Sequence, residues 1–263
     1  MPEVRGIEGV PDYRVDIRSP RTGDALVAVP VLNEGERIQR QLEQMGRLDL
    51  ENADLAVADG GSTDGSLTGT ALQAGRVRAL LVKTGPGGLS AQLRMLFHWA
   101  IGEGYEYVVT IDGNGKDGLE GIERVLDALR AGNDYVQGSR YMPGGVAENT
   151  PASRHWGVKL VHAPLLSLAG RHRYTDTTNG LRGWRTAVLR DPRVAPLRDA
   201  FERYSLHYYL SARIPRLGYR VCEVPASRRY PERGQIPTKI TGVRPKLQIL
   251  GDLVRVTAGS YNP

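Results

Sequence analysis

The feature that most constrains this chain is a repeated alternation. Four short apolar runs, Ala25–Val29, Leu55–Ala58, Ala79–Val82 and Tyr107–Ile111, each run into a loop rich in Gly, Asp or Asn. Helical periodicity follows, with Ile38, Leu42 and Met45 on one face after the first loop. Leu89, Leu93, Leu96, Phe97, Ala100 and Ile101 share a face after the third, and Leu119, Ile122, Val125, Leu126 and Leu129 after the fourth. Strand, loop, helix repeated in this way predicts βαβ units with right-handed crossovers and a buried, mostly parallel sheet. The loops then fall at the carboxyl edge of the strands, where open α/β sheets bind ligands. Further along, the pattern predicts a strand at Asp134–Gly138, a buried helix over Val158–Ala169 kinked or broken by Pro164, a helix at Phe201–Arg213 and a strand at Tyr219–Val224. Residues 1–24 read as an irregular lead-in, 25–240 as one α/β domain, and 241–263 as an amphipathic segment packed on it.

The loops carry the chemistry. Tyr107–Asp117, YVVTIDGNGKD, brings Asp112 and Asn114 to the end of a buried strand. Two oxygen-bearing side chains at this spacing can face one divalent cation that also holds phosphate oxygens. The same residues also make good turn chemistry. Gly85-Pro86-Gly87-Gly88 precedes a helix N-terminus, which suits either a phosphate cradle or a plain turn. It has neither the Walker pattern nor dinucleotide spacing. In the second loop Ser62, Thr63 or Asp64 could cap the following helix.

The formal net charge of +6 over 263 residues suits anionic partners. The arginines sit beside acidic and glycine turns, without a basic helix or an aromatic stacking motif, which argues against a nucleic-acid partner. Cys222 is the only cysteine, so no internal disulfide or cysteine zinc site can form, and the reducing cytoplasm is the expected compartment. The polar N-terminus does not read as a signal peptide, and no apolar run approaches the ~20 residues that span a bilayer. Val243–Val256 places Arg244, Lys246 and Arg255 around Leu247, Leu250, Leu253 and Val254. It can pack on the domain, the favoured reading, or lie on the inner face of a cell membrane.

Taken together, Pro30-Val31-Leu32-Asn33-Glu34, Asp59-Gly60-Gly61-Ser62-Thr63-Asp64-Gly65 and Asp112-Gly113-Asn114 resemble the family 2 glycosyltransferases of the GT-A fold, a Rossmann-like three-layer α/β sandwich with a mixed sheet. Gly88-Leu89-Ser90-Ala91, Gly138-Ser139-Arg140-Tyr141, Thr178-Asn179-Gly180-Leu181-Arg182, Gly218-Tyr219 before Glu223-Val224-Pro225, and Arg233-Gly234 before Thr238-Lys239 resemble the dolichyl-phosphate mannose synthase branch. Each motif is weak alone; their order and spacing are specific.

The resemblance implies a nucleoside diphosphate sugar donor. Glu34 would accept a ribose hydroxyl and Asp59 an N–H of uracil or guanine, work suited to an acceptor-only carboxylate. Pro30, Leu32, Gly88, Ser90, Asp112, Gly113, Asn114, Lys116, Arg182 and Arg233 would complete the donor site. Asp112, with Asn114 and Asp117, would hold Mg²⁺ or Mn²⁺ against the charge of the departing diphosphate. Here the chain departs from the family, because the usual second Asp is Asn114, two residues before Lys116. Asp117 could restore the lost charge, or Lys116 could neutralise phosphate directly. Positions matching Arg140 and Arg154 bind the acceptor phosphate in the resembling enzymes, which implies a polyprenyl phosphate acceptor and inverting transfer. An ionised phosphate needs no general base. For a soluble alcohol acceptor, the alternative reading, His207, Glu202 or Asp176 would be the candidate base. A nucleotidyltransferase lacks its basic, glycine-rich triphosphate loop here, and a non-catalytic binding module is the remaining alternative.

Overall fold

The structure, a computed structural model, describes residues 1–231 and 243–263. In chain order the first half comprises β1 (Glu3–Val4), β2 (Tyr13–Ile17), β3 (Ala25–Val31), α1 (Glu36–Met45), β4 (Ala53–Asp59), α2 (Gly69–Ala74), β5 (Val77–Lys83), α3 (Leu89–Gly102), β6 (Tyr107–Thr110) and α4 (Gly121–Arg130). There follow β7 (Tyr135–Ser139), β8 (Val146–Glu148), α5 (Ala152–Gly157), a π-helical turn (Val158–His162), α6 (Ala163–Gly170), β9 (Arg182–Arg185), α7 (Thr186–Arg190), α8 (Ser205–Arg216), β10 (Val221–Pro225), β11 (Ser227–Arg229) and α9 (Val243–Thr257).

The main sheet runs β1-β2-β5-β4-β3-β6-β9-β7-β10. Strands β5, β4, β3 and β6 are parallel, as are β7 and β10, while β9 is antiparallel to both of its neighbours. The expected mixed, mostly parallel three-layer sheet is therefore present. Side chains alternate across it. Leu26 and Ala28 of β3 join a core with α3, α6, α7, α8 and α9 on one face. Ala25, Val27, Val29 and Val31 join α1, α2 and α4 on the other.

Three features differ from the sequence pattern. The first residues are not irregular: Tyr13 and Val15 are buried on β2, which extends the sheet antiparallel to β5. Strand β9, Arg-Gly-Trp-Arg, has no apolar run, and its burial comes from pairing on both sides. The helix expected over Val158–Ala169 is broken as expected, with the π turn just ahead of Pro164 at the first turn of α6, but only one side of it is buried. Its surface is open, with Leu160 67% and Leu168 70% exposed.

Because β9 runs antiparallel, with Thr110 opposite Arg182, its entry loop lies at the carboxyl edge of β6. That register brings Thr175–Leu181 to the same edge as Asp112, and Thr110 Oγ1 donates to the Gly180 carbonyl at 3.1 Å.

Candidate active site

At this edge the loops after β3 and β4 are stitched together. Asn33, at φ 52°, accepts from the Thr63 N–H at 2.8 Å, and its own N–H donates to Ser62 Oγ at 3.0 Å. The Gly35 N–H donates to Asp64 at 2.8 Å. Residues 62–64 thus bind the neighbouring loop and do not cap a helix; Thr68 caps α2, accepting from the Ala71 N–H at 3.2 Å. Buried Asp59 shapes the same loop. Its Oδ1 accepts from the Ser62 N–H and hydroxyl at 2.8 and 2.7 Å, and the turn leaves Oδ2 unused.

A cleft of about 400 Å³ opens above these loops. Pro30, Leu32 and Glu34 line one wall, Gly87 and Gly88 at the head of α3 another, and Asp112, Gly113 and Asn114 the end. Arg203 and Tyr204 before α8, and Pro245, Gln248 and Ile249 of α9, close the remaining side. Glu34 pairs with Arg37 at 2.9 Å. Ser90 is fully buried below the cleft, where its hydroxyl donates to the Arg203 carbonyl at 3.0 Å and so fixes that wall. Arg203 in turn pairs with Asp252 of α9 at 3.1 Å.

Two glutamines hold the cleft floor, and the sequence pattern singled out neither. Gln92 of α3 donates to the carbonyls of Val31, at 2.9 Å, and Ala58, tying the ends of β3 and β4. Gln41 of α1 donates to the Asp112 carbonyl at 3.1 Å and accepts from the Gly115 N–H at 2.9 Å. Both sit on buried helix faces where an apolar side chain is expected. A polar residue at such a position is the only sequence signal for them.

The Asp112 loop is electrostatically unlike a two-carboxylate site. Asp112 Oδ2 accepts from Asn114 Nδ2 and from Arg228 Nη1, each at 3.2 Å. Asn114 Oδ1 is turned back to the Lys116 N–H at 3.2 Å. Asp117 is buried, with both oxygens on Arg228 Nη1 at 2.8 and 2.5 Å. Arg228 is 5% exposed. Burial alone would favour its neutral form, but Asp117 and then Asp112 hold its guanidinium well above the ordinary range. Burial, then the Arg228 charge, push the Lys116 ammonium down to about 8.

The set expected to hold Mg²⁺ or Mn²⁺ is therefore not assembled. Asp117 is consumed by Arg228, and Asn114 presents its amide N–H to Asp112. Among the described residues no three His, Cys, Asp or Glu side chains are grouped to hold a metal ion.

A cluster of cations lies beside Asp112, gathered round Tyr230. Lys116 Nζ is 5.3 Å, Arg228 5.7 Å and Arg154 5.8 Å from its ring centre, and Arg154 Nη1 donates to its hydroxyl at 3.3 Å. Burial raises the Tyr230 phenol, but Arg228 and Arg154 outweigh it and the net shift is downward. Arg140, which also acts on Tyr230 electrostatically, is locked by Asp176 through bonds of 2.6 and 3.0 Å and by Thr178 Oγ1 at 2.6 Å. Asp176 is fully buried; burial raises its carboxyl, yet Arg140 and the local hydrogen bonds bring it below the usual range. Glu223 of β10 holds the same loop, accepting from the Thr175 and Asp176 N–H groups at 2.9 and 3.0 Å.

Three expected site residues serve the frame instead. Asp176 is the counter-ion of Arg140, with no exposure for a base's work. Arg182 spends its donors inside the protein, on Tyr135 Oη, Ser211 Oγ and the Thr177, Asn179 and His207 carbonyls at 2.7–3.2 Å. His207 is buried against Trp184, and burial and Arg182 push it well below its ordinary value, so it stays neutral in the core. Arg233, Thr238 and Lys239 lie outside the described residues.

The α/β sheet thus carries a cleft at its carboxyl edge with a cation cluster beside it, an arrangement chemically suited to anionic ligands. Residues 26–204 match the model of glycosyl transferase family 2, and the chain belongs to that family. Among curated proteins it is 32% identical to the undecaprenyl-phosphate mannosyltransferase of Micrococcus luteus, over 82% of this chain and 87% of that one. It is 30% identical to the polyprenol monophosphomannose synthase of Mycolicibacterium smegmatis, over 84% and 82%. Among solved structures it resembles glucosyl-3-phosphoglycerate synthase from Mycobacterium tuberculosis in complex with Mn²⁺, UDP and phosphoglyceric acid. The TM-score is 0.60 at 18% identity, covering 91% of this chain and 79% of that one. That likeness establishes the GT-A fold, and the family makes the chain a family 2 glycosyltransferase.

Proposed function

We propose that this protein moves a sugar from a nucleoside diphosphate sugar, of the GDP or UDP type, to the phosphate of a polyprenyl phosphate, with inversion. The observation that carries the reading is the pair Arg140 and Arg154, gathered at Tyr230 beside the Asp112 end of the cleft. Guanidinium groups are strong phosphate donors, and Asp176 fixes Arg140 in advance so that little is lost on ordering. The two curated relatives named for polyprenyl or undecaprenyl phosphate chemistry support the same acceptor.

In this reading Glu34 and Asp59 hold the nucleoside, and the head of α3 faces the diphosphate. An acceptor phosphate oxygen attacks the anomeric carbon opposite the leaving group. The new O–C bond forms as the bond from that carbon to the diphosphate oxygen breaks, with its electron pair leaving on the diphosphate. The acceptor is already an anion, so no residue has to remove a proton. This agrees with the burial of Asp176 and His207.

The lipid tail needs an apolar surface. Trp156 is 57% exposed on α5, two residues from Arg154, and Leu160 and Leu168 extend that face along the π turn and α6. Helix α9 packs on α6 and exposes Leu247, Leu250 and Val254. Among the described residues no helix is long and apolar enough to cross a membrane. We assign this face to peripheral contact with a bilayer from which the acceptor phosphate is presented.

The test is a transfer assay with labelled GDP-mannose and UDP-glucose against a polyprenyl phosphate in detergent and against short soluble phosphates. Label in the lipid fraction supports the reading, and an anomer opposite to that of the donor supports inversion. Transfer confined to the soluble phosphates would sink the lipid acceptor.

A further inference from the structure

The Asp112 loop raises the question of what balances the charge of the departing diphosphate when its second carboxylate is missing. Asn114 removes one negative charge from the loop and Lys116 adds a positive one. Asp117, the nearest remaining carboxylate of the loop, is bound on both oxygens by Arg228. That guanidinium also touches Asp112 at 3.2 Å, so Asp112 and Asp117 share one fixed cation and Lys116 supplies the second positive charge. Lys116 and Arg228 are 7% and 5% exposed. Both are held by the fold itself. Arg228 sits between Asp117 and Tyr230, and the neighbouring backbone is paired, with the Arg229 N–H donating to the Lys116 carbonyl at 2.8 Å. Two buried cations 112 positions apart in sequence are thus brought to one carboxylate that lines the donor cleft.

We propose that Lys116 and Arg228 hold the donor diphosphate and balance its developing charge in place of a divalent cation. The inference rests on the transferase reading above and deepens it. A metal needs acceptor ligands, and among the described residues the local set is two carboxylates that share Arg228, one amide turned to its own loop, and an ammonium and a guanidinium that repel a cation. The same set suits an anion, since fixed donors aimed at developing negative charge stabilise it without reorganising. When the C–O bond breaks, its electron pair ends on a diphosphate oxygen beside these two charges.

Calorimetric titration of the unmodified protein with GDP and UDP, in EDTA and in Mg²⁺ or Mn²⁺, tests this directly. The expected result is one nucleotide bound with the same Kd, within about twofold, in all three buffers. Lys116→Met should weaken that nucleotide by ~10- to 100-fold, the usual size of a lost charged hydrogen bond, and leave the corresponding nucleoside unaffected. Arg228 variants also unpair Asp117, so Lys116→Met, checked for an unchanged melting temperature, is the working variant. Binding that requires metal would overturn the proposal and leave the transferase reading standing. Binding of neither nucleotide in any buffer would overturn both.

Discussion

Replacing Asp176 by Asn separates a counter-ion from a base. In the folded protein Asp176 has no exposed surface, accepts from Arg140 at 2.6 and 3.0 Å, and accepts from the Thr178 N–H at 3.0 Å. Asparagine keeps the shape but removes the charge, and turns an N–H toward a guanidinium that can only donate. Breaking a buried pair on one side costs about 3–5 kcal/mol, because the surviving charge stays buried without compensation. That is a large part of the about 5–15 kcal/mol that holds a domain together. At about 2–4 °C per kcal/mol for a chain near this size, the melting midpoint should fall by roughly 6–20 °C. Circular dichroism melts read this, and transfer kinetics on the surviving protein should show a raised acceptor KM. The double replacement Arg140→Met with Asp176→Leu should recover much of the stability and none of the acceptor binding. A midpoint within about 2 °C of the unmodified protein, with kcat lost, would refute the reasoning and return Asp176 to the role of a base.

Other outcomes follow from the same geometry. A Cβ at Gly180 would lie 2.1 Å from Asp112 Oδ1, so Gly180→Ala should displace that carboxylate; transfer should fall at least tenfold by activity assay while the melt stays within about 1 kcal/mol. Burial pushes His162 down to about 4, against about 6.5 in the unfolded chain. The unfolded state therefore takes the proton first, so this contribution to stability is fully present above about pH 6.5. It is lost on acidification at up to about 1.4 kcal/mol per pH unit, down to about pH 4; urea midpoints at pH 7.5 and 5 should show the slope, and His162→Phe should reduce it. Gln92→Ala leaves the Val31 and Ala58 carbonyls without their shared donor and should cost about 1–3 kcal/mol in urea unfolding. Trp156→Ser with Leu160→Ser should weaken sedimentation with anionic vesicles while leaving the melt unchanged.

The sheet was legible where burial leaves an apolar run. Leu26–Val29 and Val108–Ile111 are buried on both faces and read as central strands without any contact information. Strand β9 was not legible, because Arg182 and Gly183 are buried by partners that the strand itself does not announce. The fate of Asp112 was half legible. The turn showed an acid at a strand end, but Arg228, which pairs with both it and Asp117, lies 116 residues away. The same limit applies to Asp176. Its local sequence, Thr-Asp-Thr-Thr-Asn, reads as a polar loop open to solvent, and only the approach of Arg140 and Glu223 makes it a buried ionic network. The exposed face of α5 and α6 failed in the opposite direction: an apolar helix reads as core unless its neighbours are known.

The acceptor is the centre of the account, and matched lipids test it most directly. Initial rates should be compared for one polyprenyl phosphate and for the polyprenol of the same chain length, with the same donor and detergent. The cation cluster, with Asp176 and His207 buried in the frame, predicts transfer to the phosphate alone, with the alcohol at least a hundredfold slower. Comparable rates on the two lipids would contradict a phosphate-reading site and return a general base to the mechanism.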